Sequence, residues 1–201
     1  MQDLILAARE VQEFLLARSW KFCFIGGLAL QRWGIPRLTR DIDLSLFTGF
    51  GHEGEFVDIL AARFPARIAE AALFARESRV LLLRTAGGIG IDIALAGFPF
   101  EEEVIGRSSE GEYLPGIGLR TCSAEDLAVL KAFADRTQDW ADIEGILLRQ
   151  GAGLDRTAVR TRLAPLAELK EAPHILARWD QLAGSPRAVS GEGAKRGRKR
   201  R

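Results

Sequence analysis

Two aspartates one residue apart in an otherwise apolar run, Asp41 and Asp43 in DIDLSLF, are the residues of this chain best suited to chemistry. In a strand, residues two apart point the same way, so their carboxylates stand about 6–7 Å apart along the chain and can share divalent ions. Without a cation the like charges repel and oppose burial, so a sequence that keeps them should contain something that offsets the cost. Asp92, on the small-residue face of a second β-like run, IGIDIALA, is placed to complete a ring of carboxylates. Oxygen-only ligation of this kind suits Mg²⁺ or Mn²⁺, which bind jointly to protein carboxylates and substrate phosphates. The sequence has no Cys/His cluster of the kind zinc takes. Gly26 and Gly27 supply the other half of a phosphate site: neither carries a side chain to block close approach, and the helical run after them offers free backbone N–H groups and a positive dipole end.

The elements that must position these residues are readable from periodicity. Apolar residues at Leu4, Ala7, Ala8, Val11 and Leu15 predict an amphipathic helix over 3–18. KFCFIGG reads as a short buried strand ending at the glycines, and Leu28 to Trp33 as a brief helix closed by Gly34 and Pro36. From Arg37 to Phe47 the pattern alternates, with Leu38, Ile42, Leu44 and Leu46 on one face and Arg37, Thr39, Asp41, Asp43 and Ser45 on the other; this is the expected central strand. A second helix follows around Phe56 to Phe64, then RVLLLRT and IGIDIALA as an antiparallel hairpin. The GGIG at 87–90 reads as turn chemistry, and Glu101 to Glu103 as a solvated helix start. A short strand at Ile117–Thr121 leads to a helix that Ser123 and Asp126 can cap, another begins at Thr137 and ends at Gly151, and two more lie at about 155–170 and 173–182. The class is α+β: a mixed sheet of about four or five strands flanked by helices, then a helical C-terminal portion.

The pattern GG, then R-x-T-x-D-x-D, then a later strand with one Asp resembles the nucleotidyltransferase superfamily, whose fold is best known from DNA polymerase beta. Within it the chain is most similar to the abortive-infection and type IV toxin-type nucleotidyltransferases. LKAFADRTQDWADIEGIL resembles their downstream segment, a helix lysine followed by R-x-x-D-x-x-D, so the likeness runs from about residue 20 to 150. It implies that Gly26 and Gly27 contact nucleotide phosphates and that Asp41 and Asp43 hold the metal ions. Asp92 would assist the metal or the acceptor, and Lys131, the one charge in LAVLKAFA, would neutralise phosphate. Arg37 and Thr39 share the aspartate face and are expected to touch phosphate or orient a carboxylate. Many relatives carry Ser where this chain has Gly27, which offers only its backbone. Arg136, Asp139 and Asp142 read either as an ion-paired brace or as catalytic groups. The implied reaction moves a nucleoside monophosphate from an NTP to an acceptor, with pyrophosphate leaving. The acceptor is RNA such as tRNA, a protein or a small molecule, and a toxin role would bring an antitoxin partner. The implied organisation is a catalytic core over 1–122, a helical portion over 123–183 that completes the site, and a basic tail over 184–201.

Bulk properties narrow the setting. A chain of 201 residues that is 47% hydrophobic and 27% charged is an ordinary globular one, long enough to bury a core. Its net charge of +1 hides an asymmetry: residues 184–201 carry seven Lys/Arg against one Glu, which leaves the remainder at −5. That Gly-rich tail is expected to be disordered, either bringing a polyanion near the domain or simply solvated. No signal peptide is apparent, no run approaches the ~18 apolar residues of a membrane helix, and Cys23 and Cys122 read as reduced structural thiols, so a cytoplasmic protein without membrane association is expected. His52 and His174 are isolated and receive no role; Trp33, Trp140 and Trp179 read as packing. Two other classes compete with the enzyme: a catalytically inactive nucleotide-binding or partner-binding module of the same fold, and a nucleotide-sugar enzyme using the D-x-D.

Overall fold

A computed structural model describes residues 1–184. The basic tail expected at 184–201 lies, but for Gly184, outside the described residues. The chain opens with α1 (Gln2–Leu16), β1 (Phe22–Phe24), α2 (Gly26–Trp33), β2 (Asp41–Phe47), α3 (Glu53–Arg63) and α4 (Ala71–Ser78). It continues through the hairpin β3 (Val80–Arg84) and β4 (Gly90–Ala96), then α5 (Pro99–Gly106), β5 (Ser109–Leu114) and β6 (Ile117–Thr121). Four helices end it: α6 (Ala124–Ala134), α7 (Thr137–Gln150), α8 (Arg156–Leu169) and α9 (Pro173–Gly184).

The strands form one mixed sheet in the order β3-β4-β2-β1-β6-β5, with β2 parallel to β4, β1 parallel to β6, and the other neighbours antiparallel. The α+β class is as expected, with six strands among the described residues in place of four or five. The additional one, β5, has the sequence SEGEYL and no fully buried residue. It pairs only with β6, so nothing forces an apolar face onto it.

Alternation along the strands separates two hydrophobic clusters. Ile42, Leu44 and Leu46 of β2, Ile91, Ile93 and Leu95 of β4, and Phe22 and Phe24 of β1 pack with α1, α3 and α4 on one face. Cys23 and Cys122 join the other cluster, built chiefly from α2 and α6–α9 and including Trp140 and Trp179. Both cysteines are free and buried, and burial pushes the Cys23 thiol up to about 12, as befits inert structural thiols. The aspartates of β2 and β4 therefore share the side of the sheet on which the C-terminal helices pack.

Three local expectations are corrected. β2 starts at Asp41 instead of Arg37, because its parallel partner begins at Gly90, directly opposite Asp41, and earlier residues have no ladder to join. Leu38 accordingly leaves the core face and is 71% exposed. Helix α2 starts at Gly26, two residues before the expected Leu28, so the glycine pair forms its first turn. His174 is not isolated: its Nε2 lies 2.7 Å from Asp135 Oδ2. Among the described residues no helix is long and apolar enough to cross a membrane.

Candidate active site

Asp43 and Asp92 face each other across β2 and β4 as register partners, and Asp41 is one pleat earlier on the same face. With Gly26, Gly27, Arg37, Thr39 and Lys131 they line a single cleft of about 590 Å³, which is walled on the far side by Leu127, Leu130 and Ala134 of α6. The residues expected to bind nucleotide or metal thus border one cavity, as do Arg136 and Asp139, while Asp142 lies behind its wall. The arrangement follows from two local devices: β2 and β4 run parallel, so their carboxylates stack side by side, and β1 delivers the chain into α2 directly beside them. The Ile25 N–H donates to the Asp43 carbonyl at 2.9 Å, which pins the bend to β2.

Glycine is required at that bend for space as well as for conformation. Gly26 adopts φ +54°, and a Cβ there would stand 2.3 Å from Asp43 Oδ2; a Cβ on Gly27 would stand 2.3 Å from Thr39 Oγ1. The Gly27 N–H points at Asp43 Oδ2 at 3.4 Å, a long contact. Gly90 is the third close approach. It begins β4 on the face it shares with Asp92, as the sequence pattern placed it, and a Cβ on it would come within 2.2 Å of Asp41 Oδ1 and 2.5 Å of Arg67 Nη1.

The three aspartates are poorly satisfied. Burial raises the proton affinity of Asp43, and the Asp92 and Asp41 charges raise it further against the Gly27 N–H and Lys131. Burial likewise raises that of Asp92, with Arg67 opposing and Asp41 adding. Arg67, in the segment between α3 and α4, reaches Asp92 Oδ1 at 2.6 Å and Asp41 Oδ1 at 3.5 Å. The contact to Asp92 is made by one nitrogen of the guanidinium, and the buried Oδ1 has no other polar partner. Three carboxylates on one wall with one arginine between two of them fit an oxygen-seeking cation. Among the described residues no three acidic, His or Cys side chains already converge as a metal cage.

Lys131, Asp139 and Asp142 form the opposite kind of cluster. The Lys131 ammonium is buried and donates to Asp139 Oδ1 at 3.1 Å and Asp142 Oδ2 at 2.6 Å. Arg37 grips Asp142 with two nitrogens at 2.9 and 3.0 Å, and Arg136 Nε donates to Asp139 at 2.5 Å. Burial tends to raise the Asp142 pKa, but the Arg37 and Lys131 hydrogen bonds outweigh it and hold the carboxylate below its usual range. Asp139, Asp142 and Arg136 therefore make the ion-paired brace that was one of their two sequence readings, and Lys131 and Arg37 belong to it. Arg67 was missed in the sequence. It stands in an irregular segment with no motif around it, and only the fold brings it to the aspartates.

Two solved structures share this architecture. A nucleotidyltransferase-like antigenic protein from Paracoccidioides brasiliensis aligns with TM-score 0.52 at 13% identity, over 89% of this chain and 94% of its own. The antibiotic-resistance factor ANT(2'')-Ia aligns with TM-score 0.51 at 20% identity, over 86% and 92%. At those identities the likeness is one of fold. A comparison with curated proteins finds no match. The family described as "Nucleotidyl transferase AbiEii toxin, Type IV TA system" matches residues 16–184, which contain every residue of the cleft. The chain belongs to this AbiEii nucleotidyltransferase family.

Proposed function

We propose that this chain transfers a nucleoside monophosphate from an NTP to an acceptor hydroxyl, with Asp41, Asp43 and Asp92 holding Mg²⁺ or Mn²⁺. The observation that carries this reading is the placement of three strand-borne carboxylates, short of hydrogen-bond donors, on the cleft that also contains the first turn of α2. When bound, the divalent ions polarise the phosphoryl oxygens and stabilise charge on the attacking and departing oxygens.

The chain's own residues supply the rest. Gly26 and Gly27 let the phosphates approach backbone N–H groups at the positive end of α2. Thr39, whose Oγ1 stands against the Cα of Gly27, offers a hydroxyl at a place where Gly27 has none. Asp92 accepts the proton of the attacking hydroxyl, a task suited to a carboxylate whose proton affinity burial has raised. The acceptor oxygen bonds to the α-phosphorus as the bond from that phosphorus to the bridging oxygen breaks, and pyrophosphate leaves. Arg37 and Lys131 tie the loop before β2 to α6 and α7 and add positive potential to the cleft wall, while Arg136 faces the ligand from its rim. The α6 residues Leu130 and Ala134 present an apolar wall for the base.

Family membership supports a toxin role in a toxin-antitoxin pair, and with it an antitoxin partner. RNA, with tRNA first, is the acceptor class to test, in a cytoplasmic setting. The test incubates the full chain with Mg²⁺, each α-labelled NTP and a tRNA pool, followed by protein and small-molecule acceptors. Label transfer with pyrophosphate release, both lost in Asp43→Asn, is the expected result. NTP binding without transfer in any combination would favour the inactive nucleotide-binding module, and absence of both would overturn the nucleotide reading altogether.

A further inference from the structure

We infer that Arg67 is the resident counter-cation of the aspartate cluster, which a divalent ion must displace from Asp92 and Asp41 when it binds. This inference rests on the metal reading above and concerns what occupies the carboxylates before the metal does.

The placement of Arg67 is fixed by the sheet. Ala66 forms an isolated antiparallel bridge with Leu83, and the Arg67 N–H donates to the Leu82 carbonyl at 3.0 Å, so this segment lies along the free edge of β3. Leu82 is the register partner of Asp92, and Asp92 of Asp43. Residue 67 therefore heads a row that crosses the sheet to both aspartates, and its long side chain runs along that row above Leu82. The guanidinium ends 2.6 Å from Asp92 Oδ1 and 3.5 Å from Asp41 Oδ1, bridging carboxylates on two strands. Gly90 leaves the room for it, since a Cβ at that position would stand 2.5 Å from Arg67 Nη1.

Two features mark this pairing as exchangeable. The first is geometric: Arg67 gives Asp92 Oδ1 one nitrogen at 2.6 Å and Asp41 Oδ1 the other at 3.5 Å, so neither carboxylate is held by a two-nitrogen fork. A well-made arginine–carboxylate pair uses two parallel N–H···O bonds, as Arg37 does with Asp142. The second is access. The Arg67 side chain is 31% exposed and belongs to a segment outside the helices and the six-stranded sheet, so it can swing toward solvent without breaking its backbone anchor. One guanidinium among three carboxylates also leaves the cluster net negative, which still attracts a divalent ion.

The test measures Mn²⁺ binding to the full chain without nucleotide, counting free Mn²⁺ by electron paramagnetic resonance. Wild type, Arg67→Gln, Arg67→Lys and Asp43→Asn are compared. Removing the competing charge is expected to tighten Mn²⁺ binding by about tenfold in Arg67→Gln, with Arg67→Lys between that variant and wild type. Thermal melts give a second readout that does not depend on titration quality: Mn²⁺ should raise the melting temperature of Arg67→Gln by more than it raises that of wild type. If Mn²⁺ binds wild type in a manner lost in Asp43→Asn, yet Arg67→Gln binds no more tightly, Arg67 is not a competitor and this inference alone falls. Weaker binding in Arg67→Gln would likewise overturn it and make Arg67 an organiser of the ligands. If no variant shows Mn²⁺ binding sensitive to Asp43, the metal reading falls and takes the inference with it.

Discussion

Two groups of aspartates lie at the same cleft, Asp41, Asp43 and Asp92 lining it and Asp139 bringing the Asp142 pair to its wall, and they are treated in opposite ways. In the brace, all four oxygens of Asp139 and Asp142 accept hydrogen bonds, from Lys131, Arg37, Arg136 and Gln138. In the strand cluster Asp41 and Asp92 share one guanidinium, one nitrogen to each, and Asp43 Oδ2 has a single long contact from the Gly27 N–H. The proton affinities diverge accordingly, held down at Asp142 and pushed up at Asp43 and Asp92. Burying a carboxylate in a paired network costs the fold little, whereas leaving it under-paired in a cleft costs stability and persists where a ligand completes it. The brace is thus part of what shapes the cleft, and the strand cluster is where the proposed metal would bind.

Substituting one member of each group gives the sharpest contrast. Asp43→Asn is expected to reduce nucleotide transfer by about 10³-fold or more, since a metal clamp supplies several kcal/mol to the transition state at roughly tenfold per 1.4 kcal/mol. The same variant, melted without divalent ions, should be as stable as wild type or more so, because it deletes a charge that burial and two neighbours disfavour. Asp142→Asn should do the reverse. It leaves Lys131 with Asp139 alone and strands the Arg37 fork, and breaking such a buried pair costs about 3 kcal/mol in a urea titration. Its loss of transfer, measured on the folded fraction, should be well short of that of Asp43→Asn. Equal stability losses in the two variants would erase the distinction between the clusters.

How far each cluster was legible beforehand follows the same division. Asp41 and Asp43 stand out because β2 alternates cleanly, Ile42, Leu44 and Leu46 being fully buried while the acids keep the other face. The bend at Gly26 and Gly27, the β3–β4 hairpin and the Ser123 cap are equally local, and the Ser123 hydroxyl does accept from the Asp126 N–H. Pairing between distant segments was not legible. R-x-x-D-x-x-D spacing shows that Arg136, Asp139 and Asp142 share a helix face, but only the packing of α6 on α7 reveals that Lys131 fills the space between the acids. Arg67 reaches its aspartates across a sheet whose order no local pattern encodes. Strand β5 escaped notice because an exposed edge strand needs no apolar face.

Acid sharpens the comparison further, because the two clusters respond to it with opposite sign. Asp142 has a depressed folded-state pKa, so its contribution is complete above the unfolded carboxylate value of about 3.9 and is lost as pH falls through the lower folded value. Asp43 has a raised folded-state pKa, so its charge penalises folding above that value, and the penalty fades as pH falls toward the unfolded one. In urea titrations across pH without divalent ions, Asp142→Asn should flatten the loss of stability below about pH 4. Asp43→Asn should instead remove a destabilisation on the neutral side. A common slope in the two variants would mean that the carboxylates are equally well paired.

The smallest expected effect falls on Arg136, which belongs to both regions. Its side chain is 76% exposed, and the carboxylate it pairs with keeps Lys131 on its other oxygen, so Arg136→Ala frees only Asp139 Oδ2 at the edge of the cleft. An exposed pair of this kind is worth less than about 1 kcal/mol, and the urea midpoint should move little. Because Arg136 lines the cleft, its guanidinium is placed to meet the NTP, and the KM for NTP should rise a few-fold while kcat holds, the signature of binding shared by ground state and transition state. A stability loss approaching that of Asp142→Asn, with KM unchanged, would assign Arg136 wholly to the brace and leave the rim of the cleft to other cations.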